Sequence, residues 1–478
     1  MKRTKWLQVI VIIIILTGII SNLMPEQTFA NDLSKNPRKM TNLVIFVRPA
    51  GHPEFVSGTT IDPIYIGTYE SKRSGYKIFN DEKSSMKAFF KANSYGQLEV
   101  ETIFASASAT RMASYQDFES TITPQNIGEV MQRAIRAVEK NLPNSVNLDS
   151  NGDGEVDNVT FLFSGEHEVI EVFAHANRWF LPETEINNLK VARNTIIPIS
   201  IYNDCTIFHE FAHILGFPDL YMGMGEQVGG WDIMGSGNSF FTSATRLRYG
   251  GWGNVVEITK SGTYKLKPVD DPNSEITAYK IVGDHPNENF YIEYRKKAEE
   301  EELNLKIGEP VTYRGISDYT KDMAPNSGLI IYRHDTSVEG NIGDMSDWGK
   351  NHDEIYVFRK DETGLNFSDG DVDNAFLDGT AGRTNFGCNT TENGYNGTIY
   401  YRDGTNSKIV VKNVRTLNNG EIEFTVEMVG SPITETEIEN PKINTNSSYF
   451  YVGIALIGLT TLLTTLIILK KRKKIDET

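Results

Sequence analysis

Residues 204–235 constrain this chain more than any other stretch, because they encode a helix, its stop and a second turn in a fixed order. Within them, His209-Glu210-Phe211-Ala212-His213 sets two histidines four positions apart. That spacing is about one helical turn, so on a helix both imidazoles share a face. Two such rings can offer neutral nitrogens to one zinc ion. Glu210, beside the first ring, is placed to take a proton from a metal-bound water. Asp204 suits the N-cap, and Ile207, Phe208, Phe211, Ile214 and Leu215 give the helix an apolar side to bury.

Gly216 is a natural stop for this helix, since glycine enters the left-handed cap conformation without strain. Pro218 keeps the helix from resuming. Asp219 then arrives where a third ligand is wanted, with Glu226 as the fallback for that role. Further on comes Trp231-Asp232-Ile233-Met234-Gly235. The order of HExxH, glycine, ligand and methionine turn resembles the metzincin pattern. Aspartate in place of the commoner histidine makes the site harder and more anionic. A buried helix with two satisfied histidines is the plainer alternative, but it leaves the aspartate and the methionine turn unexplained. Cys205, one turn before His209, is either a small core residue or a fourth ligand or redox group.

A second oxygen-rich stretch precedes the strand expected at Val159–Phe163. Asp149, Asn151, Asp153 and Asp157 stand at the first, third, fifth and ninth positions of an EF-hand-type loop, with Gly154 at the sixth. Glu155 adds another carboxylate. Thr160 occupies the twelfth position, where such a loop has glutamate, so any calcium bound here needs a ligand from elsewhere. The competing reading is a polar surface turn. Asp369, Asp371 and Asp373 are better read as an acidic surface loop than as a second cation site.

The two ends of the chain read as targeting segments. Met1–Ala30 has a basic start, an apolar run and a small-residue cleavage site, the pattern of an export signal; an uncleaved N-terminal anchor is the alternative. Tyr449–Leu469 carries no charge, is long enough to span a bilayer, and is followed by a basic tail at 470–474. The expectation is a single-pass type I protein of the cell membrane, with its body outside. Residues 431–448 would be a polar stalk. The formal charge of -16 argues against nucleic acid as a partner. Two cysteines, Cys205 and Cys388, are too few for a disulfide scaffold, and whether they pair stays open.

Between those ends, Asn42–Val47 reads as a buried strand, Ser84–Ala92 as a helix, Gln97–Phe104 as a strand and Asn126–Asn141 as an amphipathic helix. Little chain separates Ala30 from the first strand, so no propeptide is expected. His167-Glu168-Val169-Ile170-Glu171 imitates the metal motif but lacks its second histidine. His175, Arg178 and Trp179 could lie near the cleft, though each is more often structural. After Trp252, period-two segments at Val255–Val269, Ile276–Val282, Phe290–Arg295, Gly328–His334, Glu354–Phe358, Lys408–Val414 and Glu421–Val429 read as strands of a β-sandwich-like region. The expected fold class is therefore α/β (α+β): a metzincin-like domain over 31–254, a β-rich domain over 255–430, and a single C-terminal transmembrane helix.

This order of features resembles the immune inhibitor A family of secreted bacterial metallopeptidases. The likeness rests on KAFFKANSYGQLEV at 87–100, DSNGDGEVDNVTFLFSG at 149–165, AHANRWFL at 174–181, HEFAHILGFPDLY at 209–221, VGGWDIMGSG at 228–237 and GLIIYRHD at 328–335. It implies an extracellular zinc endopeptidase acting on proteins or peptides, with structural calcium and a β-rich domain after the catalytic one. Carried over by motif, His209, His213 and Asp219 would hold zinc, Glu210 would be the catalytic base, and Met234 would form an apolar floor under the metal. The absent propeptide and the membrane anchor depart from the family. A surface binding protein that kept the fold without the chemistry is the alternative, as is a hydrolase of non-peptide substrates.

Overall fold

Arg38–Arg48 (β1) is buried on both sides: Met40, Val44 and Phe46 face one hydrophobic core, while Leu43, Ile45 and Val47 face another. An apolar run of this kind belongs at the centre of a parallel sheet with both faces covered. The computed structural model describes residues 38–428 except 52–64, 67–72, 84, 106–114, 118, 143–144, 165–173, 178–180, 182–183, 199–203, 222–226, 299–317, 342–352, 361–371 and 388–396. The described residues all fall in one compact unit.

Met86–Asn93 (α1) starts at Ser85, whose hydroxyl accepts from the Ala88 amide at 3.1 Å, and buries Phe89 and Phe90. Its chain returns as Leu98–Ala105 (β2), parallel to β1. Ile127–Glu139 (α2) buries Ile127, Val130, Met131, Ala134, Ile135 and Val138 at helical spacing. Asn158–Phe163 (β3), His175–Asn177 (β4) and Asn194–Pro198 (β5) complete the main sheet. Its order is β2-β1-β3-β5-β4, with the short pair Tyr115–Gln116 beside the end of β1. All of these strands run parallel except β4, which is antiparallel to β5 and forms one edge of the sheet among the described strands. Asp204–Leu215 (α3) packs with α1 on one face through Phe89, Phe90, Phe208 and Phe211, whereas α2 covers the other.

Beyond Trp252 the chain is almost all strand: Val255–Glu257 (β6), Gly262–Leu266 (β7), Ala278–Val282 (β8), Glu288–Arg295 (β9), Gly328–Asp335 (β10), Ile355–Val357 (β11), Ile409–Thr416 (β12) and Ile422–Met428 (β13). They form a five-stranded sheet, β6-β8-β9-β10-β11, and a three-stranded sheet, β7-β13-β12. The two share a core in which Phe290, Ile292 and Ile331 meet Val411, Phe424 and Val426. The other face of the five-stranded sheet sends Tyr291, Ile330, Tyr332, Ile355 and Val357 into the core that α1 and α3 already share.

The expected fold class needs correction. The chain is a mixed α/β fold of several sheets with little helix. Among the described residues no helix is long and apolar enough to cross a membrane, so the single C-terminal transmembrane helix is not supported. The longest described helix, α2, has 13 residues, against about 20 for a span, and only one of its sides is apolar. Tyr449–Leu469 itself, the export signal at Met1–Ala30 and the stalk at 431–448 lie outside the described residues, as do Cys388, Glu226, the 167–171 imitation, Arg178, Trp179, Asp369 and Asp371.

Candidate metal centre

The helix carrying the paired histidines ends in a way that orients one of them. Gly216 takes φ +100°, its amide donates to the His213 carbonyl at 3.0 Å, and the Phe217 amide donates to the Ala212 carbonyl at 3.2 Å. This is a Schellman cap, whose left-handed residue is free of strain only as glycine. The reversed chain brings the Phe217 carbonyl to 2.7 Å from His213 Nδ1. His209 is oriented from a different place: its Nδ1 lies 2.8 Å from the carbonyl of Ile233, in the methionine turn. Asp232 shapes that turn, accepting from the Met234 amide at 2.9 Å and the Thr242 amide at 2.6 Å. Trp231 and Met234 are fully buried beneath it.

A carbonyl oxygen can only accept, so both Nδ1 atoms carry protons and both Nε2 atoms of the neutral rings present lone pairs. These two nitrogens converge on Asp219 Oδ1, at 3.1 Å from His209 and 3.3 Å from His213. That oxygen is buried and, among the described residues, has no hydrogen-bond partner. Three acceptors thus meet within 4.8 Å of one another, the one such group among the described residues. Tetrahedral zinc with bonds of about 2.0–2.1 Å separates its ligand atoms by about 3.3 Å. The donor set and its spacing fit zinc, and the side of the site away from the core is open: the Asp219 side chain is 41% exposed.

The charges respond to this convergence. Burial alone would raise the Asp219 carboxyl, yet the two imidazoles hold it well below the usual carboxylate range. Burial opposes protonation of His209, but Asp219, the Glu210 charge and the Ile233 carbonyl outweigh it and raise the ring. Glu210, 7% exposed, is raised chiefly by burial; His209 and His213 oppose the shift, Asp219 adds to it, and His175 opposes it weakly. Among the described residues no hydrogen bond ties down the Glu210 carboxylate. His175 therefore lies within electrostatic reach of the site, on β4, against which α3 packs.

Other expected site residues are arranged differently. Cys205 is a buried thiol in the shared core and does not join the ligand group. In the oxygen-rich loop, Asp149 accepts from the amides of Gly152, Asp153 and Gly154 at 2.7, 3.1 and 2.9 Å. Asn151 bonds Asp153, while Asp153 and Glu155 pair with Arg193 at 3.2 and 3.5 Å. Asp157 turns inward, 2% exposed, and accepts from the Thr41 amide at 2.8 Å. No three of these carboxylates converge as His209, His213 and Asp219 do. Asp373 does not stand free as an acidic loop residue: it accepts from the Gly230 amide at 2.7 Å, beside the methionine turn.

Several groups that build the centre escaped the sequence reading. The Ile233 and Phe217 carbonyls are backbone atoms, which any residue type supplies. Arg295 on β9 is wholly buried and donates to the Trp231 carbonyl at 2.7 Å and to Asp322 at 2.8 Å. Nothing in the strand's sequence, which also carries Glu288 and Glu293, marked it out. In comparisons with known proteins, no family model and no curated protein matches the chain.

Proposed function

We propose that this chain is a zinc-dependent endopeptidase in which His209, His213 and Asp219 hold the metal and Glu210 moves the proton. The observation that carries the reading is the meeting of two imidazole nitrogens and a carboxylate oxygen beside a buried glutamate whose carboxylate has no hydrogen bond among the described residues. Zinc bound there would act as a Lewis acid that acidifies water and polarises a carbonyl. Burial raises the Glu210 carboxyl, which suits it to accept a proton from the water and to return it to a leaving amine. The Ile233 and Phe217 carbonyls accept from the Nδ1 atoms and so turn both Nε2 atoms toward the metal position, and the open side at Asp219 admits substrate.

A polypeptide substrate is favoured by the sheet edge. β4, one of the two edge strands of the main sheet among the described strands, packs against α3 and carries His175, so an extended peptide added to that edge would lie beside the helix that carries His209 and His213. The same proposal includes kinship with the immune inhibitor A family and action outside the producing cell. Elemental analysis of the purified full chain should find about one zinc per molecule. Cleavage of casein should stop with a zinc chelator and return on adding zinc back. A chain that takes up no zinc, or cleavage indifferent to chelation, would sink the proposal.

A further inference from the structure

We infer that Asn341 is a positioning residue for the third metal ligand, holding the backbone from which Asp219 projects; this rests on the metal-centre reading above. Asp219 lies outside α3 and follows a proline, so neither helix nor sheet hydrogen bonds fix it. Its carboxylate meets only the two imidazoles among the described groups. The aim of that carboxylate therefore depends on where its backbone is held.

The hold comes from the loop after β10. The Asn341 amide donates to the Asp219 carbonyl at 2.8 Å, and its side-chain Nδ2 donates to the Leu220 carbonyl at 2.8 Å. The same side chain, 3% exposed, grips β11 from its other side. Nδ2 donates to the Ile355 carbonyl at 3.0 Å, and Oδ1 accepts from the Ile355 amide at 3.0 Å. Leu220 is secured in turn by donating its amide to the Met234 carbonyl at 2.7 Å. The ligand-bearing segment is thus clamped between the methionine turn and Asn341.

Gly340 makes the close approach feasible. It has φ +73°, and a Cβ there would lie 2.8 Å from the Asp219 carbonyl oxygen and 2.9 Å from Pro218 Cβ. Its amide donates to Glu354 at 2.6 Å, and Glu354 is itself held by Arg248 at 2.9 Å and Tyr249 at 2.6 Å. A side chain at 340 would push on the segment that Asn341 holds in place.

The test measures zinc dissociation constants of the full-length protein by competition with a chromogenic chelator, together with the visible spectrum of the cobalt-loaded form. Asn341→Ala should weaken zinc by about 10–100-fold and alter the cobalt spectrum, with circular dichroism unchanged. Gly340→Ala should do the same. Gly420→Ala imposes similar backbone strain at φ +83° with nothing within 4 Å of the new Cβ, and should leave zinc affinity at the wild-type value. A folded Asn341→Ala that binds zinc within about two-fold of wild type overturns the inference. If that variant does not fold, the glycine pair decides, and equal affinities for Gly340→Ala and Gly420→Ala overturn it. Wild-type protein that binds no zinc removes the metal centre and this inference together, whereas zinc-binding wild type with an unaffected variant removes only the inference.

Discussion

Glu210 and Asp219 are both carboxylates beside the same two histidines, yet their surroundings push them in opposite directions. Asp219 touches both rings and stays ionised; Glu210 is buried with no hydrogen bond among the described residues and is raised. This contrast supports the proposed division of labour, in which Asp219 would bind the metal and Glu210 would exchange a proton. Glu210→Gln should keep its zinc, because Glu210 is not one of the converging atoms, while casein cleavage falls by roughly 10²–10⁴-fold. Zinc content and cleavage rate on the same preparation check this, and a variant that loses both together would make Glu210 a ligand instead. The four side chains of the site were legible in the sequence because helix spacing and a glycine stop bring them together locally. Asn341 was not legible: its partner Asp219 lies far away in the chain, and no pattern marks a buried asparagine that binds two carbonyls.

Among the elements, α3 matters less for its length than for how it ends. Its left-handed cap at Gly216 delivers the Phe217 carbonyl to His213, so helix stop and imidazole orientation are one event. Gly216→Ala should cost about 1–3 kcal/mol of stability from the positive φ. It should also weaken zinc binding, since the carbonyl moves with the turn. Urea unfolding alongside a zinc titration would check both, and an alanine variant as stable as wild type would argue against the strain. Strand patterns were legible but their partners were not. Val255–Val269 reads as one alternating strand, yet β6 joins the five-stranded sheet beside β8 and β7 joins the three-stranded sheet beside β13. Alternation tells which side chains point the same way; it carries no information about which neighbour supplies the hydrogen bonds.

For the molecule as a whole, Glu354 is a junction where distant segments meet. Fully buried, it accepts from Arg248, Tyr249 and Gly340 and lies 3.3 Å from His334 Nε2. Burial raises its carboxyl, but His334 and Tyr249 more than offset this and leave it below its ordinary value of 4.5. A carboxyl held low in the folded state adds stability above its unfolded value, and that stability is lost as pH falls through the folded one. Glu354→Gln should therefore destabilise the protein by about 3 kcal/mol at pH 7, with the deficit shrinking as pH falls below about 4.5. Denaturant curves of both proteins from pH 7 down to pH 3 would check this; a constant deficit would speak against it. The central strand of the β-rich part, β9, turns Tyr291 toward one core and Phe290 and Ile292 toward the other. It has no outward side on which a new residue goes unnoticed, so any lineage altering it must adjust two neighbourhoods at once, and this strand should be among the slowest parts of the molecule to diverge.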